Sequence, residues 1–147
     1  MKPSNSMKLE FESRSVNEGF ARTAIAGFVA QLDPTIDELC DIRTAVSEAV
    51  TNSIVHAYAG RIGKVYISAD IYEAGRIIIK VKDKGCGISD VRQAMEPLYT
   101  TGGEDRSGLG FSVMQSVMDK VRVRSKVGGP TTVTLERGIK RRDDSNA

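Results

Sequence analysis

The chain has 147 residues, enough for one compact domain and too few for two well-buried ones. Hydrophobic residues make up 40%, which supports a real core and excludes wholesale disorder. With 21 basic against 19 acidic side chains the net charge is +2, a balance that speaks against nucleic-acid binding as the main task.

No apolar run reaches the roughly 20 residues that cross a bilayer, and the opening MKPSNSMK has no apolar signal core. Neither membrane nor direct nucleic-acid contact is therefore expected. Cys40 and Cys86 lie far apart without Cys or His at metal-ligand spacing, and read as reduced thiols of a cytoplasmic protein.

Met7, Leu9 and Phe11 alternate with polar residues and predict a first strand. Ser15 and Glu18 form S-x-x-E, a capping box opening a helix whose apolar row is Phe20, Ala24, Phe28 and Leu32, stopped before Pro34. Thr35 and Glu38 repeat the box for a second helix through Leu39, Ile42, Val46, Val50 and Ile54, ending near Tyr58 to Gly60. Val65, Ile67, Ala69 and Ile71, then Ile77, Ile79 and Val81, alternate on either side of the turn EAG and predict an antiparallel hairpin. A glycine-rich stretch from about Lys84 to Ser107 follows, too long for an ordinary connection. A third helix is expected from Gly110 to about Asp119. VRVRSK and TTVTLER, joined by GGP, close the chain as two strands.

This order predicts an α+β fold, a two-layer sandwich with a mixed, mostly antiparallel sheet covered by helices on one face. One domain over residues 1–137 is expected, with a lid around 91–109 and a disordered tail over 138–147.

Three constellations carry chemistry. Glu48 and Asn52 stand four residues apart on the second helix, one above the other and away from its apolar row. Such a pair alone is usually a solvated face, but here Ala45, Ala49 and Ser53 flank it and leave room for something to lie against the helix. In DKGCGI the carboxylate of Asp83 suits an exocyclic amine such as that of adenine, and Gly85 and Gly87 permit close backbone approach or positive φ. Arg106, Ser107, Gly108 and Gly110 sit at the start of the third helix, where free N–H groups favour anions and the guanidinium suits phosphate oxygens. G-x-x-x-x-G-K-[ST] is absent, GCGISD lacks the third glycine of G-x-G-x-x-G, and there is no H-R-D or D-F-G.

Glu48-x-x-x-Asn52, Asp83-x-Gly85-x-Gly87 and Ser107-Gly108-Leu109-Gly110 together resemble the N box and the two glycine boxes of the GHKL ATP-binding superfamily. FARTAIAGFVAQLDPT and IDELCDIRTAVSEAVTNSIVHAY are similar to the anti-sigma F family of endospore-forming bacteria. The resemblance implies ATP and Mg²⁺ as cofactors, with Asn52 on the metal and Glu48 as catalytic base. It places Asp83, Gly85, Gly87 and Thr132 around the base, and Thr101, Arg106, Ser107, Gly108 and Gly110 with the rest of the nucleotide. Pro130 before the paired threonines departs from the family pattern. Arg22 matches an arginine that contacts protein partners.

The implied activity is inhibition of a sporulation sigma factor of the sigma F type, with ATP-dependent serine phosphorylation of its anti-anti-sigma antagonist, in a homodimer. A general-stress anti-sigma kinase and a nucleotide-gated sigma-binding module without catalysis are the alternatives. His56, the only histidine, is expected to pack or to lie at the surface and not to accept phosphate.

Overall fold

In a computed structural model that describes residues 2–88, 90, 91, 95 and 107–140, five strands form one sheet in the order β1-β2-β3-β5-β4. The strands are β1 (Asn5–Glu12), β2 (Lys64–Tyr72), β3 (Arg76–Asp83), β4 (Lys120–Ser125) and β5 (Thr131–Gly138). All four pairings are antiparallel, so the expected parallel component is absent among the described residues. Alternation decides the faces. Val65, Ile67, Ala69 and Ile71 of β2 and Ile77, Ile79 and Val81 of β3 are buried, while Tyr66, Ser68, Lys80 and Lys82 point the other way.

The helices are α1 (Asn17–Val29), α2 (Ile36–Thr51) and α3 (Ser107–Val117), and α2 packs against both of the others. Its N-terminus is the predicted capping box: the Glu38 N–H donates to Thr35 Oγ1 at 3.1 Å and the Thr35 N–H donates to Glu38 Oε1 at 2.9 Å. It buries Ile42, Val46 and Val50 as expected, together with Ala45 and Ala49. The two alanines thus belong to the packed face.

The other predicted capping box does not form. Val16 occupies the cap of α1 in helical conformation, and Glu18 turns instead towards Arg22, 3.6 Å away. The buried row of α1 is Ala21, Ile25 and Val29, one residue along from the predicted one. Both rows have four-residue spacing, and a 100° rotation separates them. Phe20 remains half exposed, edge-on to Phe11 with ring centroids 6.1 Å apart.

Beyond Thr51 the second helix widens into a π-helical turn over Asn52–Ala57, in which the Tyr58 N–H reaches Ser53 O at 3.1 Å. Tyr58 closes this end: its buried hydroxyl donates to Lys64 O at 2.6 Å and accepts from the Lys84 N–H at 2.7 Å. At the opposite end Arg137 Nη1 donates to Asp41 Oδ2 at 2.8 Å and Val117 O at 2.6 Å, tying β5 to α2 and α3.

The packed unit runs past the expected boundary at residue 137. Gly138, Ile139 and Lys140 donate backbone N–H bonds to Asp119 Oδ2, Gly75 O and Glu38 Oε2, and Ile139 is buried. Residues 141–147 of the expected tail, and most of the expected lid, lie outside the described residues.

Candidate nucleotide site

The C-terminal half of α2 brings the three constellations together. Asp83 ends β3 with its side chain on the helix-covered face, only 3% exposed. The Ser53 hydroxyl donates to its Oδ2 and the Gly85 N–H to its Oδ1, each at 3.0 Å. Burial pushes the Asp83 carboxyl above its usual 3.8, and the bonds from Gly85 and Ser53 draw it part of the way back.

Gly85 and Gly87 make close approaches of a different kind from the expected one. A Cβ on Gly85 would collide with the Ala57 backbone, and one on Gly87, at φ +75°, with Lys126 O. The loop is thereby seated between the end of the π-helical turn and the β4–β5 connection. The Cys86 N–H donates to Ala57 O at 3.1 Å, and the Gly128 N–H to Cys86 O at 2.8 Å. The two glycines fit protein backbone to protein backbone and so fix where Asp83 sits.

The strand register separates the two threonines. Asp83 pairs with Thr131 and Lys82 with Thr132, and paired residues share a face. Thr131 is therefore the buried threonine beside Asp83, within 2.6 Å of the Ser125 hydroxyl, which also accepts from the Ile88 N–H at 2.7 Å. Thr132 points to the outer face, where it lines a cavity of about 550 Å³ with Tyr66, Lys80 and Lys82.

On the other side of α2, Gly110 is buried against the polar row. A Cβ there would lie 3.1 Å from Glu48 Oε2 and 3.4 Å from Asn52 Oδ1. Asn52 Nδ2 is enclosed and has no hydrogen-bond partner among the described residues. Helix α3 as described, Ser107–Val117, takes in Ser107 to Gly110, which lie before the expected start. Thr101 and Arg106 lie outside the described residues, as do the side chains of Ser107 and Leu109.

Arg22 and Glu48 share a cleft between α1 and α2, of about 290 Å³, with Cys40, Arg43, Thr44 and Ser47. His56 is half buried, and its carbonyl accepts a weak bond from the Cys86 thiol at 3.5 Å. Sequence reasoning missed Ser53 as the partner of Asp83 and named Thr132, whereas the threonine that pairs with Asp83 is Thr131; β5 pairs with β3 across a long connection, so local pattern does not give that register.

Residues 11–137 match the model of the histidine kinase-like ATPase domain. The chain is 53% identical over 142 residues to the anti-sigma F factor of Caldanaerobacter subterraneus subsp. tengcongensis, covering 96% of this chain and 99% of that one. It is 54% identical to the anti-sigma F factor of Clostridium beijerinckii, covering 90% and 94%. Among solved structures it is similar in fold to the RsbU and RsbW domains of a Mycobacterium tuberculosis protein, with TM-score 0.69 and 18% identity. That match covers 95% of this chain and 34% of the other. The histidine kinase domain of a blue-light activated kinase from Erythrobacter litoralis gives TM-score 0.54 at 18% identity, covering 83% and 61%.

Proposed function

The chain belongs to the histidine kinase-like ATPase family and, within it, to the anti-sigma F factors, and from this we propose how its residues divide the work. It is a partner-switching anti-sigma kinase of ATPase type. In our reading it holds a sporulation sigma factor of the sigma F type inactive. It also transfers the γ-phosphoryl group of ATP to a serine of the anti-anti-sigma protein that opposes it. The observation that carries this reading is the convergence of Gly110 on Glu48 and Asn52, because it sets the α3 N-terminus against a carboxylate and an amide.

Asp83 takes the hydrogen bond of the adenine amine, with the Thr131 hydroxyl beside it in place of Thr132. The N–H groups of Ser107 to Gly110 face the phosphates, favoured by the helix dipole. Thr101 and Arg106 are assigned to the phosphate side by resemblance alone. The residues fit Mg²⁺: the enclosed Asn52 amide nitrogen has no partner among the described residues, and the same amide carries a neutral oxygen of the kind a hard cation takes as one of its one or two protein ligands. Mg²⁺ when bound neutralises charge on the phosphate oxygens. Glu48, one turn before Asn52, orients the seryl hydroxyl and takes its proton. Arg22 meets the protein partners, and the working unit is a homodimer in the cytoplasm.

Incubating the purified protein with Mg-ATP and candidate anti-anti-sigma proteins, then mapping phosphoserine, tests this assignment. Labelling on one serine supports it, and absence of any transfer overturns the kinase role.

A further inference from the structure

The cleft between α1 and α2 holds hydrogen-bond donors that no described residue answers. Nε of Arg22, Nε of Arg43 and Oγ of Ser47 are all enclosed there, and none has an acceptor among the described residues. Arg22 has Glu18 at 3.6 Å for its charge, whereas Arg43 has no ion pair among the described residues. Buried donors left open are costly unless a ligand completes them. The missing complement is an acceptor-only group, and a carboxylate matches a guanidinium best.

The same cleft contains Glu48, the base of the proposed transfer. Arg43 lies five residues before Glu48 on one helix, about 7.5 Å along the axis and about 140° around it, and both line the cleft. A protein segment seated in the cleft with its serine at Glu48 has Arg43 within reach of its neighbouring residues.

We propose that this cleft receives an acidic stretch of the protein substrate, with Arg43 donating to a carboxylate close to the target serine. Arg43 is thus a specificity-determining residue, and Ser47 donates to the same acidic stretch. This rests on the reading of Glu48 as the base for a protein serine.

Steady-state phosphorylation by the full chain, with the unphosphorylated anti-anti-sigma protein as variable substrate, tests it. Arg43→Ala is expected to raise the KM for the protein about tenfold and leave the KM for ATP unchanged. Arg43→Lys should recover part of the loss. Arg43→Glu should be rescued in part when an acid close to the substrate serine is changed to Lys. An unchanged protein KM, an equal rise in the ATP KM, or a loss confined to sigma-factor binding overturns the proposal. Melting curves of Arg43→Ala and Arg43→Lys separate a folding defect from a docking defect. If the wild-type chain labels no serine, the kinase reading fails by itself. Calorimetric titration of the same antagonist into wild type and Arg43→Ala then decides the cleft: equal affinities overturn the proposal.

Discussion

The Ser53 hydroxyl donates to Asp83 Oδ2 across 3.0 Å, and this bond joins the helix carrying Glu48 and Asn52 to the strand end carrying the acid proposed to recognise the base. Both residues are buried, so the carboxylate is held in place and deprived of water together.

Nucleotide affinity should therefore fall on acidification earlier than for an ordinary aspartate. The Asp83 carboxyl titrates above 3.8 because burial disfavours its charge, and the amine of adenine needs the ionised form. Affinity is then full well above the raised value and is lost as pH falls through it. Ser53→Ala removes a donor that favours the ionised form, so the loss should begin at higher pH. Asp83→Asn should weaken ATP by about tenfold or more. Because a carboxyl raised in the folded state weakens folding as pH rises through its value, the same change should leave the protein as stable or more so at neutral pH. Calorimetric titration from pH 4 to pH 8 checks the first part, and thermal melting the second.

Glu48→Gln keeps shape and removes the proposed base. Phosphoryl transfer should drop by about 10²-fold or more, with ATP affinity within about twofold of the parent, as read by labelling and by equilibrium binding.

Gly110→Ala sets two effects against each other. Alanine favours a helix by about 1 kcal/mol over glycine, yet its methyl group would lie 3.1 Å from Glu48 Oε2 and displace that carboxylate. Transfer should fall while the melting temperature holds or rises. A fall in both would show that the site tolerates no methyl group at all.

The threonine pair gives a sharp contrast. Thr131→Val should weaken ATP by about fivefold, the value of about one hydrogen bond, whereas Thr132→Val should leave it unchanged. Competition binding with the two variants measures the difference directly.

Glu38 links the start of α2 to the end of the packed chain through Thr35 and Lys140. Burial pushes its carboxyl up, but the bonds from the Thr35 and Lys140 N–H groups outweigh it, and the value lies below 4.5. Its contribution to stability is therefore present above pH 4.5 and lost as pH falls below it. Glu38→Ala should cost about 1–2 kcal/mol in urea melts at neutral pH and less in acid.

Local signals explain what could be read directly. Alternation found every strand, and the Thr35–Glu38 box and the row from Ile42 to Val50 found α2 together with its polar face. The failures were non-local. Ser15-x-x-Glu18 meets the sequence rule for a cap, but Glu18 found Arg22 instead. Thr131 and Thr132 differ only by strand parity, and that parity is set by pairing with β3 some 50 residues away. Gly85 and Gly87 were correctly marked as special, while the atoms they admit belong to Ala57 and Lys126, which only the folded chain brings near.

Helix α2 contributes to the core, to the nucleotide pocket and to the arginine-lined cleft along a single rod. If either ligand displaces that rod, the other site moves with it. Thermodynamic reciprocity then requires that whatever factor ATP imposes on partner affinity, the partner imposes on ATP. A cell that varies its nucleotide pool would thereby change how firmly this inhibitor holds its target.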